Sequence, residues 1–227
     1  MDLLVLVFLV PVIAPVAAMI ALAIKLDSPG PVLYRSRRIG RGGVPFDMLK
    51  FRKMRGGSTG PPLTAYDDER FTPIGRFLML TKLDELPQIW NVVRGDMRLV
   101  GPRPEVPEFV ARYQDSYDEI LSVPPGMTGV AQLIYASEAR VLVGAADPIG
   151  HYENELLPAK IEFDIAYVRH RSTRGDLALL ARTMVLPARR LKSHARGISV
   201  ALRSIELSLA VLAILTLLIT FAWAART

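Results

Sequence analysis

The run L-D-E-L-P-Q, from Leu83 to Gln88, places two adjacent carboxylates at the start of an apolar helical pattern. It predicts Asp84 as the N-cap of a helix and Glu85 as its first residue, because Pro87 then falls in the first turn, where its missing N–H costs little. The positive end of a helix favours ionised carboxylates and bound phosphate nearby. An ordinary capped helix with two solvated acids explains the run equally well, so its surroundings must decide.

Helices are expected on both sides of this run. Thr72 and Pro73 predict a helix start upstream, with Thr72 as N-cap and Pro73 in the first position. The helix of the acid pair should extend to Val93 and bury one apolar face, made of Leu86, Ile89, Trp90 and Val93. Further along, the pattern predicts a helix over 108–122, a loop over 124–129, and helical structure over 153–184 with a break near 170–175.

Composition narrows the chemistry before any motif is considered. The 227 residues suit one modest domain with appendages, and they contain no cysteine, which excludes disulfides, thiolate metal sites and a cysteine nucleophile. The three histidines have no partners at the spacing of zinc ligands. The net charge of +6 indicates an anionic partner, such as phosphate, nucleic acid or acidic lipid.

The N-terminal stretch from Leu3 to Ile24 carries no charge. It lacks the basic start and the cleavage site of a signal peptide. Its length permits a membrane span, but Pro11 and Pro15 each remove a helical hydrogen bond in mid-run. From the residues alone, a spanning helix and a helix that bends and returns to the same face fit equally well.

A basic stretch follows, with eight Lys or Arg residues against one acid between Arg35 and Arg55. Its glycines at 40, 42 and 43 predict a hairpin turn between two short strands. Lys50 and Arg52 should then project from one strand face, as in a phosphate site. A patch on acidic lipid headgroups is the alternative, and the nearby apolar stretch allows both.

Two further features carry candidate roles. Arg103 lies between two prolines, which suits a preorganised anion contact or simply a rigid turn. Asp164 flanks an apolar helical pattern, as either a site acid or an exposed ion-pair partner.

The C-terminal part of the chain has a membrane-associated pattern. Six basic residues and no acid lie between 177 and 205, and the uncharged stretch from Leu207 to Ala225 is just long enough to span a membrane.

Taken together, the motifs resemble those of the bacterial sugar transferases, the monotopic phosphoglycosyl transferases that begin glycoconjugate assembly. The likeness covers about residues 10–185. Six short motifs occur in the family's order: Lys25 to Val32, Lys50-Phe51-Arg52, Leu83 to Gln88 with Asn91-Val92, Leu99 to Pro104, Pro125 to Gly129 with Ala131-Gln132, and Phe163-Asp164 with Tyr167-Val168.

The resemblance implies that a nucleotide-diphosphate sugar, with UDP the expected nucleotide, gives its phosphosugar to a polyprenyl phosphate and releases a nucleoside monophosphate. It implies Asp84 as the nucleophile of a covalent aspartyl intermediate and Glu85 as the ligand of Mg²⁺. Phosphates would be held by Lys50, Arg52, Arg103, Lys82 and Arg140. Asp164 and Gln132 would complete the active site.

The chain also departs from the family pattern. A basic residue that is common five positions before the nucleophile is Met79 here. The family's Trp and Asn-Gly-Arg after Gly126 are replaced by Val130 and a different run, in which Arg140 is the candidate for the Arg role. This region is expected to contact the nucleotide or the sugar, so its changes bear on which donor is used.

We therefore expect a mainly helical α+β fold: a re-entrant N-terminal membrane helix over 1–27, broken near Pro15, and a catalytic domain with a small β-hairpin over 28–188 at the membrane surface. A polybasic segment over 189–206 and a hydrophobic helix over 207–225 would follow, the latter spanning the membrane or forming oligomers. The expected location is the cytoplasmic face of the bacterial inner membrane, with a role in exopolysaccharide or glycoprotein assembly and no nucleic acid partner. A glycosyltransferase that moves the sugar alone and a non-enzymatic basic membrane adaptor are the competing functions.

Overall fold

Helices make up most of the computed structural model, which describes residues 2–58, 68–136 and 147–194. The helices are α1 Asp2–Asp27, α2 Pro73–Thr81, α3 Gln88–Arg94, α4 Pro107–Arg112, α5 Gln114–Ile120, α6 Val130–Ile134, α7 Pro148–His151, α8 Leu157–His170 and α9 Thr173–His194. The strands are β1 Leu33–Ile39, β2 Pro45–Phe51, β3 Arg98–Val100 and β4 Gly126–Thr128. A π turn, Tyr152–Leu156, joins α7 to α8. The expectation of a mainly helical fold with a small hairpin is confirmed.

The hairpin forms where the glycines predicted it. Strands β1 and β2 pair antiparallel from Leu33 opposite Phe51 to Ile39 opposite Pro45. Gly42 and Gly43 have φ values of 67° and 78°, which glycine adopts at little cost, so the chain reverses tightly between the strands. The hairpin carries Lys50 toward the loop that follows α2.

A second, parallel pair of strands was not expected. β3 and β4 pair in the register Arg98 to Gly126 and Val100 to Thr128, so the predicted loop over 124–129 was wrong at its centre. The backbones approach so closely that a Cβ on Gly126 would overlap the amide nitrogen of Gly101. Parallel strands are joined by a long connection and not by a tight turn, so no turn signal in the sequence indicated this pairing.

The acid pair lies in a different local structure from the one predicted. Leu83–Glu85 forms a separate 3₁₀ turn, and α3 begins only at Gln88. The cause is Lys82, whose left-handed backbone (φ 62°, ψ 13°) ends α2 and starts the turn. Asp84 as an N-cap was therefore wrong, because a residue inside a 3₁₀ turn does not cap the helix that follows.

The buried face of α3 is partly polar. Gln88, Asn91 and Val92 are its buried residues, whereas Trp90 is 58% and Val93 42% exposed. The prediction that Trp90 and Val93 are buried was wrong. The helix turns the amide of Asn91 toward β2, where it bonds to backbone groups, and this leaves Trp90 and Val93 on the outer side.

The other helices that the sequence predicted are present, but one of them is divided. Thr72 caps α2, since its hydroxyl accepts a hydrogen bond from the amide of Gly75 at 2.9 Å. The expected helix over 108–122 is divided at Tyr113, whose φ of −120° and ψ of 37° are not helical. The predicted break near 170–175 is confirmed, because α8 ends at His170 and α9 starts at Thr173.

Helix α1 contacts the rest of the molecule at two separate places. Leu6 packs in a core with residues of β2, α3 and β3, whereas Ile20 and Ile24 pack in another core with Phe51 and Leu78. The helix stays continuous across Pro11 and Pro15, so the expected break at Pro15 does not divide it into two helices. Within residues 2–58, 68–136 and 147–194, no helix combines the length and apolarity needed to cross a membrane.

Some expectations concern parts of the chain outside the described residues. They are Arg140, most of the polybasic segment, and the hydrophobic stretch 207–225.

Candidate active site

Asp84 is almost fully buried, at 2% exposure, and forms an ion pair with Lys53 (Oδ2 to Nζ 3.1 Å). The amide of Thr72 donates to the carbonyl oxygen of Lys53 at 3.0 Å, which docks the start of α2 on this segment. Gly75 allows that contact, since a Cβ there would overlap the same carbonyl. The close docking of α2 thus aims Lys53 at Asp84.

Sequence reasoning missed Lys53. Strand alternation predicted Lys50 and Arg52 on one face and no role for Lys53, but β2 ends at Phe51 and the alternation ends with it.

Glu85 lies against three cationic side chains, all of which approach the same carboxylate oxygen. Its Oε1 is 3.1 Å from Nη2 of Arg103 and 3.7 Å from Nζ of both Lys50 and Lys82. Burial raises the pKa of Glu85, but the charges of Lys82, Arg103 and Lys50 outweigh it and hold the pKa well below its usual range. Glu85 is therefore an ionised carboxylate at neutral pH.

The cations of this group outnumber its acids. Burial lowers the pKa of Lys50 to about 7, and the charge of Arg103 adds to the fall while Glu85 opposes it. For Lys82, Glu85 raises the pKa, yet burial and Arg103 together lower it overall. We call Asp84, Glu85, Lys50, Lys53, Lys82 and Arg103 the carboxylate-pair cluster. Its four cationic groups and two carboxylates leave an excess of two positive charges when all are ionised.

Asn91 fixes the hairpin to the helix that follows the acid pair. Its Oδ1 accepts from the amide of Leu49 at 2.9 Å, and its Nδ2 donates to the carbonyl of Asp47 at 2.8 Å. The side-chain amide therefore pairs with the edge of β2 much as another strand would. This contact sets Lys50 opposite Glu85. Asn91 lies off the apolar face predicted for this helix, so the spacing of residues gave no signal of this contact.

Arg52 does not join this cluster. Its guanidinium donates to the carbonyl oxygens of Ser28 at 2.7 Å and Ile24 at 3.5 Å, and also to that of Pro29. These are the last carbonyls of α1 and the turn after it, so Arg52 ties the end of α1 to the hairpin. Because β2 ends at Phe51, Arg52 and Lys50 do not share a strand face as the sequence suggested.

A second group of ionisable residues surrounds Glu105. Its carboxylate accepts from the hydroxyl of Tyr152 at 2.8 Å and lies 3.4 Å from Nη1 of Arg38 and 3.6 Å from Nζ of Lys160. Asp164 lies one helical turn after Lys160 and is 7% exposed. Burial raises the pKa of Asp164 to about 7, with Lys160 opposing and Glu105 adding to the rise. We call Glu105, Arg38, Lys160, Tyr152 and Asp164 the Glu105 cluster.

Several buried polar atoms have no hydrogen-bond partner among the described residues. They are Oδ1 of Asp164, Oε1 of Gln132, both amide atoms of Gln88, Oδ2 of Asp27 and Nε of Arg52. The other end of Gln132 donates to the carbonyl of Met127 at 3.1 Å. Asp164 and Gln132 were expected in the site. The structure places both on helices, α8 and α6, and neither contacts Asp84 or Glu85 through a described hydrogen bond or ion pair.

The residues fit magnesium only in combination with phosphate. Within the described residues, no three His, Cys, Asp or Glu side chains form a metal-binding group. Mg²⁺ commonly uses one or two carboxylates and takes its remaining ligands from water and substrate phosphates. Glu85 can provide the carboxylate, but the excess positive charge around it opposes a bare dication. A magnesium ion that shares its ligands with a diphosphate suits this site.

The sequence matches the model of one protein family over residues 1–190, and that family is described as bacterial sugar transferase. Since the match covers most of the chain, the protein belongs to the bacterial sugar transferase family. The resemblance inferred from the six motifs is thereby confirmed.

Individual relatives are named for related reactions. A UDP-glucose:undecaprenyl-phosphate glucose-1-phosphate transferase of Caulobacter vibrioides is 41% identical over 75% of this chain and 62% of its own length. An Escherichia coli protein of the same name is 37% identical over 76% of this chain and 36% of its own length. A putative undecaprenyl-phosphate N-acetylgalactosaminyl 1-phosphate transferase of Bacillus subtilis is 38% identical over 56% of this chain. The match thus spans less than two thirds of the length of the first two relatives.

Proposed function

We propose that the protein transfers a sugar phosphate from a UDP-sugar to undecaprenyl phosphate and releases UMP. The observation that carries the proposal is the carboxylate-pair cluster, in which two adjacent acids face four cations. A diphosphate needs such an excess of positive charge, because the attacking group is itself an anion. The names of the relatives support the choice of UDP-sugar and undecaprenyl phosphate.

The proposed reaction has two displacements at one phosphorus. In the first, a carboxylate oxygen of Asp84 bonds to the phosphorus that carries the sugar, and the bond from that phosphorus to the bridging oxygen breaks, releasing UMP. In the second, an oxygen of undecaprenyl phosphate bonds to the same phosphorus and the bond to Asp84 breaks. The enzyme thus regains its free carboxylate and the product is a lipid diphosphate sugar.

Each residue of the cluster has a distinct part in this scheme. Lys53 holds the Asp84 carboxylate in position, while Lys50, Lys82 and Arg103 neutralise the phosphate oxygens during displacement. Mg²⁺ held by Glu85 together with the diphosphate would withdraw further charge from the phosphate oxygens. We propose Arg52 as an anchor of α1 rather than a phosphate ligand, because its donors face backbone carbonyls.

The lipid acceptor implies a location at the membrane, and we propose its cytoplasmic face. We propose that both ends of α1 lie on the cytoplasmic side and that the helix dips into the membrane, bent but not divided at Pro11 and Pro15. Its two separate contacts with the globular part and its exposed apolar residues Met19 and Leu22 support this. Cysteine labelling at residue 2 and at residue 27 in intact cells tests this. Both positions should react only with reagents that reach the cytoplasm, and a periplasmic label at residue 2 would refute a re-entrant helix.

The decisive experiment identifies the released nucleotide. The full chain is incubated with undecaprenyl phosphate, Mg²⁺ and a panel of UDP-sugars, and the nucleotides are separated by chromatography. UMP release that depends on the lipid supports the proposal. Release of UDP would indicate transfer of the sugar alone, and absence of release with every donor would support a non-enzymatic role. The product of the proposed reaction would be the first lipid-linked intermediate of a polysaccharide or glycoprotein pathway.

A further inference from the structure

Glu85 already has an electrostatic shell in the free protein. Arg103, Lys50 and Lys82 place their nitrogens within 3.1–3.7 Å of one oxygen, Oε1. A magnesium ion bonded to that carboxylate would lie about 2 Å from an oxygen and close to all three cations. Like charges so near each other repel strongly where water is partly excluded. A bare metal ion at either oxygen of this carboxylate is therefore disfavoured while the three cations keep these positions.

A diphosphate changes the balance of charges around Glu85. Its oxygens offer the same cations an alternative partner, and arginine in particular can bind phosphate through two parallel hydrogen bonds. Each cation that moves from Oε1 to a phosphate oxygen removes one repulsive neighbour of the metal. The phosphate also provides ligands that magnesium prefers. The two anions, carboxylate and diphosphate, can then share the metal.

We propose that Lys50, Lys82 and Arg103 occupy Glu85 in the free protein and release it to magnesium only when a diphosphate enters, so that metal and diphosphate bind cooperatively. The inference rests on the proposed function for the choice of a nucleoside diphosphate as ligand. Because coupling free energies are reciprocal, each ligand must strengthen the binding of the other by the same factor.

Lys82 is the cation best suited to test this exchange. Its side chain is 45% exposed, which is the highest value among the six residues of the carboxylate-pair cluster. Its movement therefore displaces little of the core. Its backbone is left-handed, with φ of 62°. Asparagine tolerates that conformation better than most residues, so Lys82→Asn removes the charge while preserving the junction between α2 and the 3₁₀ turn.

The test is calorimetric titration of the full chain in detergent with Mg²⁺, in the absence and in the presence of saturating UDP. Binding of Mg²⁺ to UDP alone is measured separately and subtracted. For the unmodified protein we expect the Mg²⁺ affinity to rise at least about tenfold with UDP, within the usual range of coupling between sites. Lys82→Asn should bind bare Mg²⁺ more tightly than the unmodified protein and show weaker coupling.

Two further variants isolate the cause. Glu85→Gln should still bind UDP but lose the cooperative increase, since the shared carboxylate is gone. Arg37→Gln is the matched control, because it removes one positive charge from the same hairpin. Nη1 of Arg37 lies 3.5 Å from Oδ1 of Asp47, at an exposed position. The coupling between Mg²⁺ and UDP should not change in this variant. Equal Mg²⁺ affinity with and without UDP in the unmodified protein overturns the inference, as does unchanged coupling in Lys82→Asn.

This outcome is separable from that of the proposed function. If coupling is found but no UDP-sugar yields UMP, the exchange at Glu85 stands and the proposed reaction is wrong. If UMP is released but bare protein binds Mg²⁺ as tightly as the UDP complex, the reaction stands and the exchange at Glu85 is wrong.

Discussion

The carboxylate-pair cluster and the Glu105 cluster contain similar side chains but differ in charge balance. The first has four cations for two carboxylates, whereas the second has two cations, Arg38 and Lys160, for Glu105 and Asp164. Arg103 acts on both, since it bonds to Glu85 and its charge lowers the pKa of Glu105 and of Asp164.

Exposure follows the same division. Lys82 and Arg103 keep part of their side chains accessible, while the acids and Lys160 of the Glu105 cluster are buried. In a balanced and buried group, the opposite charges pair mostly with one another, and removing one partner is costly. An unbalanced group with accessible cations still lacks anions, and a ligand can supply them. The comparison indicates that an excess of positive charge, carried by partly accessible cations, distinguishes the candidate active site.

The largest expected effect is a loss of activity when the carboxylate-pair cluster is changed. Asp84→Asn should reduce UMP release by at least about a thousandfold, because it removes the proposed nucleophile while keeping the shape of the side chain. Intact-protein mass spectrometry should also show no sugar-phosphate adduct at residue 84. Asp118→Asn, on the exposed side of α5, is the control and should retain full activity. Substantial activity in Asp84→Asn would exclude a covalent route through this residue.

The next effect should appear in stability. Glu105→Gln leaves Arg38 and Lys160 without their carboxylate in a buried site, and breaking a buried ion pair typically costs about 3–5 kcal/mol. Thermal unfolding in detergent should therefore shift to clearly lower temperature, while the catalytic rate of the folded fraction changes little. Glu119→Gln, which breaks the exposed pair with Arg169, should shift the transition far less. A large fall in rate without a fall in stability would assign Glu105 to the reaction instead.

Asp164 should make stability depend on pH. Burial raises the pKa of Asp164 to about 7, above the value of about 3.9 expected in the unfolded chain. The folded state therefore holds the proton more tightly, and its stability should fall as pH rises from about 4 to about 7. Asp164→Asn removes this dependence, so its advantage in melting temperature over the unmodified protein should grow from pH 5 to pH 8.

Glu162→Gln, on the exposed side of the same helix, is the control for that series and should leave the pH profile unaltered. A constant difference between Asp164→Asn and the unmodified protein at all pH values would show that Asp164 does not titrate in this range.

A smaller effect should come from the packing that aims Lys53. Gly75→Ala adds a Cβ that overlaps the carbonyl of Lys53, and such overpacking usually costs about 1–3 kcal/mol. The shift should also move Lys53 from Asp84 and lower the rate of UMP release. Gly175→Ala serves for comparison, because its Cβ would meet the Ser172 hydroxyl at 3.1 Å without touching the cluster. An unchanged rate in Gly75→Ala would show that the position of Lys53 is not critical.

Much of the candidate site could be anticipated because short motifs carried it. The expected site residues include Asp84, Glu85, Lys50 and Arg103. In the structure, Glu85 forms ion pairs with Lys50 and Arg103, and Asp84 forms one with Lys53. Lys53 and the positioning role of Asn91 were missed. Both depend on where β2 ends and which side of α3 meets it, and neither is encoded in the spacing of residues along one segment.

The sequence by itself determined the local features of this protein: the glycine hairpin, the Thr72 cap, the break before α9, and the absence of thiol chemistry. Each arises from interactions between residues a few positions apart, or from composition. Only the tertiary structure decided the pairing of β3 with β4, the attachment of Arg52 to the end of α1, and the shell of cations around Glu85. Most of these contacts join residues distant in sequence, and their strength comes from burial, which no single segment can create alone.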